Sequence, residues 1–262
     1  MKFRWFIILS FASLSLFLYS CASSPETVTQ SRVIAPGIEI LTGRDTNGKV
    51  EWMAVRSTGC SLLISPAIPA GDADEGMFLS RHGGEYFRNS EVLAVLTASP
   101  HTPIRFRSGF PQSVRGFYRV DGTTYSLPDC RHDALGVNKN GKLELLHPGE
   151  QEEWNNDSAG GFYAILSDGL PLYSVSIRDA VSALGWSEDG ALMILLVIRG
   201  QDGRGYSYEE AGSLLRLLGA REGIAMDGGG SARLVWREEE SLHSFPVVPL
   251  YRAVPNHLIL IK

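Results

Sequence analysis

The sequence predicts an α+β domain built on a mixed, mostly antiparallel twisted sheet, with few helices and one late strand–helix–strand crossover. Three observations predict it. Short apolar runs separated by turn dipeptides fill most of the chain, and Asp121-Gly122 and Asn140-Gly141 are hairpin signals. One segment, 207–219, carries a full set of helix signals: Ser207 and Glu210 form a capping box, Ala211, Leu214, Leu215 and Leu218 share a face, and Gly219 sits at the C′ position. Apolar runs at 191–198 and 224–226 flank that helix, and a crossover of this length joins parallel strands.

The elements follow in order. Lys2 and Arg4 precede an apolar and small-residue run over 5–19, which has signal-peptide length and is shorter than the roughly 20 apolar residues of a membrane span. Leu18-Tyr19-Ser20-Cys21 has the order of a bacterial lipobox. Residues 1–20 therefore read as a signal peptide and Cys21 as the lipidated first residue of the exported chain; an ordinary signal peptide cleaved nearby is the alternative. Residues 21–30, with Ser, Thr and Pro, read as a tether. The expected location is the cell envelope, periplasmic or outer surface, with the membrane reached through a lipid anchor.

Residues 31–262 suit one domain. Strands are expected at 38–41, 51–56, 61–64, 92–96, 113–120 and 143–146, with a short helix within 76–87. Residues 186–197 turn at Asp189-Gly190. The chain then runs through the capped helix, strands at 224–226 and 234–236, a solvated Glu238-Glu239-Glu240 turn, and strands at 245–248 and 258–261.

The net charge is −5, and it becomes −7 without Lys2 and Arg4, 22 basic residues against 29 acidic. No basic patch is evident, which argues against nucleic acid. With Cys21 assigned to lipid, Cys60 and Cys130 remain, either as a disulfide, which an exported compartment allows, or as two separate buried thiols. There is no Cys-x-x-Cys, no His-Glu-x-x-His, no complete P-loop and no Gly-x-Ser-x-Gly elbow, so no metal site is assigned and the cofactor stays unknown.

The chemistry concentrates at Asp227-Gly228-Gly229-Gly230-Ser231, directly after a strand. Three consecutive glycines carry a high ordering cost and mark a backbone with unusual φ/ψ or a close approach. Asp227 is the candidate acid, base or orienting group, and the amides of Gly228, Gly229, Gly230 and Ser231 are candidates for an anion nest. A bland alternative is a cap and a tight bend. The loop 200–205 follows the preceding parallel strand and should face the same concavity. A second carboxylate would come from Asp157, Asp168 or Asp202. Arg233 and Arg252 offer charge-assisted contacts.

These residues resemble the phosphodiester glycosidase domain family, named for the enzyme that removes N-acetylglucosamine from a phosphodiester. The resemblance runs from about Val92 to Lys262. It is carried by Met226 to Ser231 with the helix before it, by Ala134-Leu135-Gly136-Val137 with Lys139-Asn140-Gly141, and by Ala159-Gly160-Gly161 with Leu166-Ser167-Asp168-Gly169. Arg252, Val254 and Asn256 resemble its closing element. The resemblance implies substrate contacts from Gly161, Arg252 and Asn256, places His82 and His101 near the ligand-facing half, and implies a glycan or sugar-phosphate ligand. Two positions depart from the pattern. Thr97-Ala98-Ser99-Pro100-His101 replaces an Asn-Ala-Thr-Pro-Phe element, and Val181-Ser182-Ala183-Leu184-Gly185 replaces Arg-Thr-Ala-x-Gly, with Arg178 out of register. Two function classes follow: an envelope-anchored hydrolase of a sugar 1-phosphodiester or related glycan bond, and a catalytically degenerate lipoprotein that binds glycan or cell wall. The intact Asp-Gly-Gly-Gly-Ser favours the first, the two departures the second.

Overall fold

The computed structural model describes residues 28–45, 47–71, 76–172, 177–200, 204–248 and 250–262. The signal segment, Cys21, most of the tether and Asp202 lie outside the described residues. The folded domain begins earlier than composition indicated. Val28–Ala35 is already a strand, paired with Ile38–Arg44 from Val28 opposite Gly43 onward. A polar edge strand needs only main-chain bonds on one side, so Ser, Thr and Gln are compatible with it.

An eight-stranded sheet runs in the order Val28–Ala35, Ile38–Arg44, Glu51–Thr58, Leu192–Ile198, Val181–Trp186, Glu222–Ala225, Tyr163–Ser167, Leu170–Pro171. Two five-stranded sheets and a three-stranded one complete the α+β domain, and among the described residues one α-helix and three short 3-10 segments accompany them. Leu192–Ile198 and Glu222–Ala225 each pair antiparallel with Val181–Trp186. The two crossover strands are thus parallel in direction but separated by that strand, so no parallel ladder forms between them. The reason is the Asp189-Gly190 turn: with Gly190 at φ +71 it closes a tight hairpin, and the hairpin partner takes the place beside Leu192–Ile198 before the crossover returns.

This arrangement explains the unbroken apolar run without a parallel sheet. Ile194, Leu196 and Ile198 pack under the helix with Leu214 and Leu215, while Leu195 and Val197 face the other sheets with Leu96 and Leu258. Each fully buried leucine contributes roughly 1.5–3 kcal/mol. The helix, Tyr208–Leu217, is capped as the sequence predicts: Ser207 Oγ accepts from the Glu210 amide at 3.2 Å, and the Ser207 amide donates to Glu210 Oε2 at 2.8 Å. Gly212 lies where the helix meets the sheet; a Cβ there would be 2.0 Å from the Ile165 carbonyl oxygen.

Three expectations change. Residues 113–120 form two strands, Pro111–Val114 and Tyr118–Val120, because Gly116 at φ +80 breaks the run. The strand expected at 245–248 is Ser241–Phe245 and ends there, since Pro246 has no amide to donate to a ladder. Cys60 and Cys130 are both free thiols, not a disulfide. Cys60 sits just after the Gly59 turn, with its Sγ 4.0 Å from the Thr58 carbonyl oxygen, while Cys130 is exposed in the turn after Pro128. Among the described residues, no helix is long and apolar enough to cross a membrane.

Candidate functional site

The site lies where Leu192–Ile198 and Glu222–Ala225 end and Val181–Trp186 begins. Past the last strand residue, the Met226 amide donates to Ser182 O at 2.8 Å and the Asp227 amide to Ala98 O at 2.8 Å. Asp227 is therefore pinned between two sheets by its own backbone. Its carboxylate caps nothing: the following 3-10 turn, Gly229–Ser231, has Gly228 as N-cap and no side-chain cap. Instead Asp227 Oδ2 lies 3.1 Å from His101 Nδ1, with the His101 ring fully enclosed and the carboxylate 14% exposed. Nδ1 also lies 3.4 Å from Ser99 O, and buried Nε2 has no partner among the described residues. A proton on Nδ1 serves both neighbours and leaves Asp227 Oδ1 as the oxygen available to the cavity. Farther back, His257 is fully enclosed; burial first, then His101, His82 and Arg81, push its imidazole down to about 3. It is a neutral ring at neutral pH.

Each glycine of the triplet has its own reason. A Cβ on Gly228 would stand 2.5 Å from Ala180 O. Gly229 has φ +54, a left-handed conformation that glycine adopts without a Cβ clash. Gly230 lies under the Arg252 guanidinium, where a Cβ would meet Cζ at 2.7 Å. The expected nest of consecutive amides is smaller than the sequence indicated, because the Gly229 amide donates to Ala180 O at 2.9 Å and the Ser231 amide to Gly228 O at 3.0 Å.

Two cavities open on this loop. The first, about 400 Å³, holds Asp227, Asp179, Phe162, Tyr163, Tyr206 and Tyr208 among its walls. His132 meets Phe162 and Tyr163 edge-on, with centroids at 5.5 and 5.7 Å. Burial, then Tyr163 and the carboxylates of Asp227 and Asp179, push the Tyr208 phenol up to about 12, so it stays an O–H donor. The second cavity, about 370 Å³, is lined by Arg199, Arg233, Arg252, Gly230 and Ser231. Asp179, Ala180 and Gly229 belong to both and form the common wall. Arg252 Nη1 donates to Ser231 Oγ at 3.3 Å. Arg233 is held more firmly: it donates to Pro246 O and Ser244 Oγ and lies 3.5 Å above the Tyr251 ring.

The structure brings together Asp227, the glycines, Ser231, Arg252, Arg233 and His101. Gly200 lines the second cavity, and Tyr206, just past Gly205, lines the first, so the described ends of the 200–205 loop face the same region as Asp227. Other expected residues lie elsewhere. Asn256 is fully buried and acts as a strut: its Oδ1 accepts from the Ser99 amide at 3.0 Å and its Nδ2 donates to Ser99 Oγ at 2.9 Å. Gly161 lies behind the cavity, where a Cβ would strike Ala225 O at 2.7 Å; it lets Phe162 reach the wall. Asp168 sits in a tight turn at φ +52 with its amide on Glu222, and Asp157 accepts from the Asp121 amide in a different cleft. Arg178 pairs with Glu210 at 2.8 Å. The second carboxylate of the site is Asp179, which sequence reasoning missed. Its signal was its place just before an apolar strand. An antiparallel neighbour starts where the two crossover strands stop.

The sequence pattern of the phosphodiester glycosidase family matches residues 98–261. The chain is similar in structure to the zebrafish N-acetylglucosamine-1-phosphodiester alpha-N-acetylglucosaminidase catalytic domain auto-inhibited by its pro-peptide, with TM-score 0.62, 19% identity, and 90% of this chain and 87% of that one covered. It is also similar to a hypothetical protein from Synechocystis, with TM-score 0.62, 12% identity, and 92% and 64% covered. At these identities the likenesses establish the fold. No curated protein sequence matches the chain.

Proposed function

Because the chain belongs to the phosphodiester glycosidase family, we propose that it hydrolyses a glycosyl phosphate diester, with the sugar in the aromatic cavity and the phosphate among the arginines. The observation that carries this is the common wall. Asp179, Ala180 and Gly229 separate a cavity rich in ring faces from one lined by guanidinium groups. A sugar has apolar faces that suit Tyr163 and Tyr208, and a phosphate suits Arg252 beside Gly230. The bond between sugar and phosphate then falls over the wall, next to Asp227.

The roles follow from charge. Asp227 accepts the proton of the attacking water, with His101 fixing its other oxygen. The Arg252 guanidinium stabilises charge developing on the departing phosphate, which needs little proton assistance because a phosphate monoester is weakly basic. Tyr208 and Asp179 orient the sugar hydroxyls. A binding-only reading is favoured by the two departures from the pattern, one of which lies in the site: apolar Val181, which replaces the arginine of that pattern, lines the cavity. The methyl diester of N-acetylglucosamine 1-phosphate, carrying the sugar in the zebrafish enzyme's name, separates the two. Release of free sugar and methyl phosphate is the expected result. Calorimetric binding without release assigns a binder, and neither binding nor release refutes both.

We also infer that the chain works at the cell envelope, held by lipid on Cys21. The Leu18-Tyr19-Ser20-Cys21 order supports this. Stable anchoring takes two acyl chains, since each buried CH₂ adds only ~0.8 kcal/mol. Cys21→Ser should move the full chain from the detergent phase to the aqueous phase on cell fractionation; unchanged partition would remove the anchor.

A further inference from the structure

The arginine-lined cavity also carries exposed apolar side chains. Among the described residues, twelve large apolar side chains stand exposed; of these Leu250 lines this cavity, Val247 lies between Pro246 and Val248, which line it, and Ile104, Phe106 and Phe110 lie on the segment whose Arg105 bridges Ala253, next to cavity residue Arg252. Single exposed apolar residues need no explanation, but a cluster at the mouth of a site does. The segments are brought together by one bridge: the Ala253 amide donates to Arg105 O at 2.9 Å. One step either side of that antiparallel bridge sets Phe106 across from Arg252. The His82 ring sits against the main chains of both and packs on Tyr251 at 4.5 Å between centroids. Leu250, 63% exposed, lines the cavity itself, and Val247, 83% exposed, stands beyond it. Exposed apolar side chains thus stand at the arginine-lined cavity and on the segment bridged beside Arg252.

We propose that the group beyond the phosphate is a lipid, so that the substrate is a glycosyl phosphate diester of a long-chain alcohol; this rests on the glycosidase reading above. A cation-lined cavity continuous with an exposed apolar lip matches an anionic head followed by a hydrocarbon tail. Water adds its oxygen to the anomeric carbon, and the bond from that carbon to the phosphate oxygen breaks with its electron pair staying on the oxygen. The water proton passes to Asp227. The products are the free sugar and an alkyl phosphate monoester, with no oxidant or further reactant involved.

The test uses the full chain and two substrates that differ only in the alcohol: the methyl and dodecyl diesters of N-acetylglucosamine 1-phosphate, both below the micellar concentration. The expected result is a kcat/KM at least about tenfold higher for the dodecyl diester, the equivalent of burying two methylene groups. Phe106→Ser combined with Val247→Ser should abolish that preference and leave methyl-diester turnover unchanged, because both side chains are exposed and neither lines the aromatic or the arginine-lined cavity. Equal kcat/KM on the two diesters overturns the lipid proposal while the glycosidase reading stands. A preference that survives the double substitution overturns it as well, since the tail then binds elsewhere. If neither diester is turned over, the glycosidase reading fails and takes this proposal with it.

Discussion

Asp227→Asn should lower turnover of a glycosyl phosphate diester by about 10²–10⁴-fold, the usual contribution of a general acid or base, while the melting temperature stays at the wild-type value. The amide keeps the size of the carboxylate, and its Oδ1 can still accept from His101 Nδ1, which now lies 3.1 Å from Asp227 Oδ2. What it lacks is the capacity to take a proton. The stability half of the expectation follows from the backbone: Asp227 is held by its amide on Ala98 O, and among the described residues no main-chain amide depends on its carboxylate. Turnover assays beside a thermal melt decide the matter. Near-wild-type turnover would remove the catalytic role, and a large fall in melting temperature would make Asp227 a structural residue.

Gly228→Ala should damage both stability and turnover. The added methyl would stand 2.5 Å from Ala180 O, a main-chain atom at the head of a central strand that cannot swing aside. Overpacking of this kind costs about 1–3 kcal/mol, and for a domain of this size each kcal/mol lowers Tm by about 2–4 °C. Relief comes only by moving the loop away from Ala180, which also displaces Asp227; a shift of about 1 Å at a reacting group costs on the order of 10²-fold. Gly84→Ala is the matching control, since a Cβ there meets nothing within 4 Å. If both variants melt and turn over like wild type, the close approach at Gly228 does not constrain the site.

How much of this was legible in the sequence depends on the range of the interaction. The helix was readable to its caps because Ser207, Glu210 and Gly219 act within a few residues of one another. The hairpins at Asp121-Gly122 and Asn140-Gly141 were readable for the same reason, with Asp121 at φ +50 and Gly122 at φ +79. The Asp-Gly-Gly-Gly-Ser loop announced itself because three glycines have no local use. Asp179 did not, since its role depends on Val181–Trp186 entering between two strands that come later in the chain. His101 was visible as a residue, yet its partner lies 126 positions away, and it takes the pairing of Val92–Thr97 with Leu234–Glu238 and the Ala98–Asp227 backbone contact to bring them together. Asn256 was read as a ligand contact because it resembles the last residue of the family's closing element. It is instead the internal brace of the Ser99 turn.

The last strand of the chain, His257–Ile261, is an interior member of its sheet, between Val92–Thr97 and Ser61–Ile64. Until those final residues are available, Leu62, Ile64, Ala94 and Leu96 have no partner across the gap, and the main core stays open to water. Pairing across some 200 positions is slow, because a long loop must close before any contact rewards it. Before His257–Ile261 has docked, the chain therefore has no complete main core, because Leu258 and Leu260 are members of it. Removing residues 257–261 would not trim an edge; it would part Ser61–Ile64 from Val92–Thr97 and leave a gap inside the sheet.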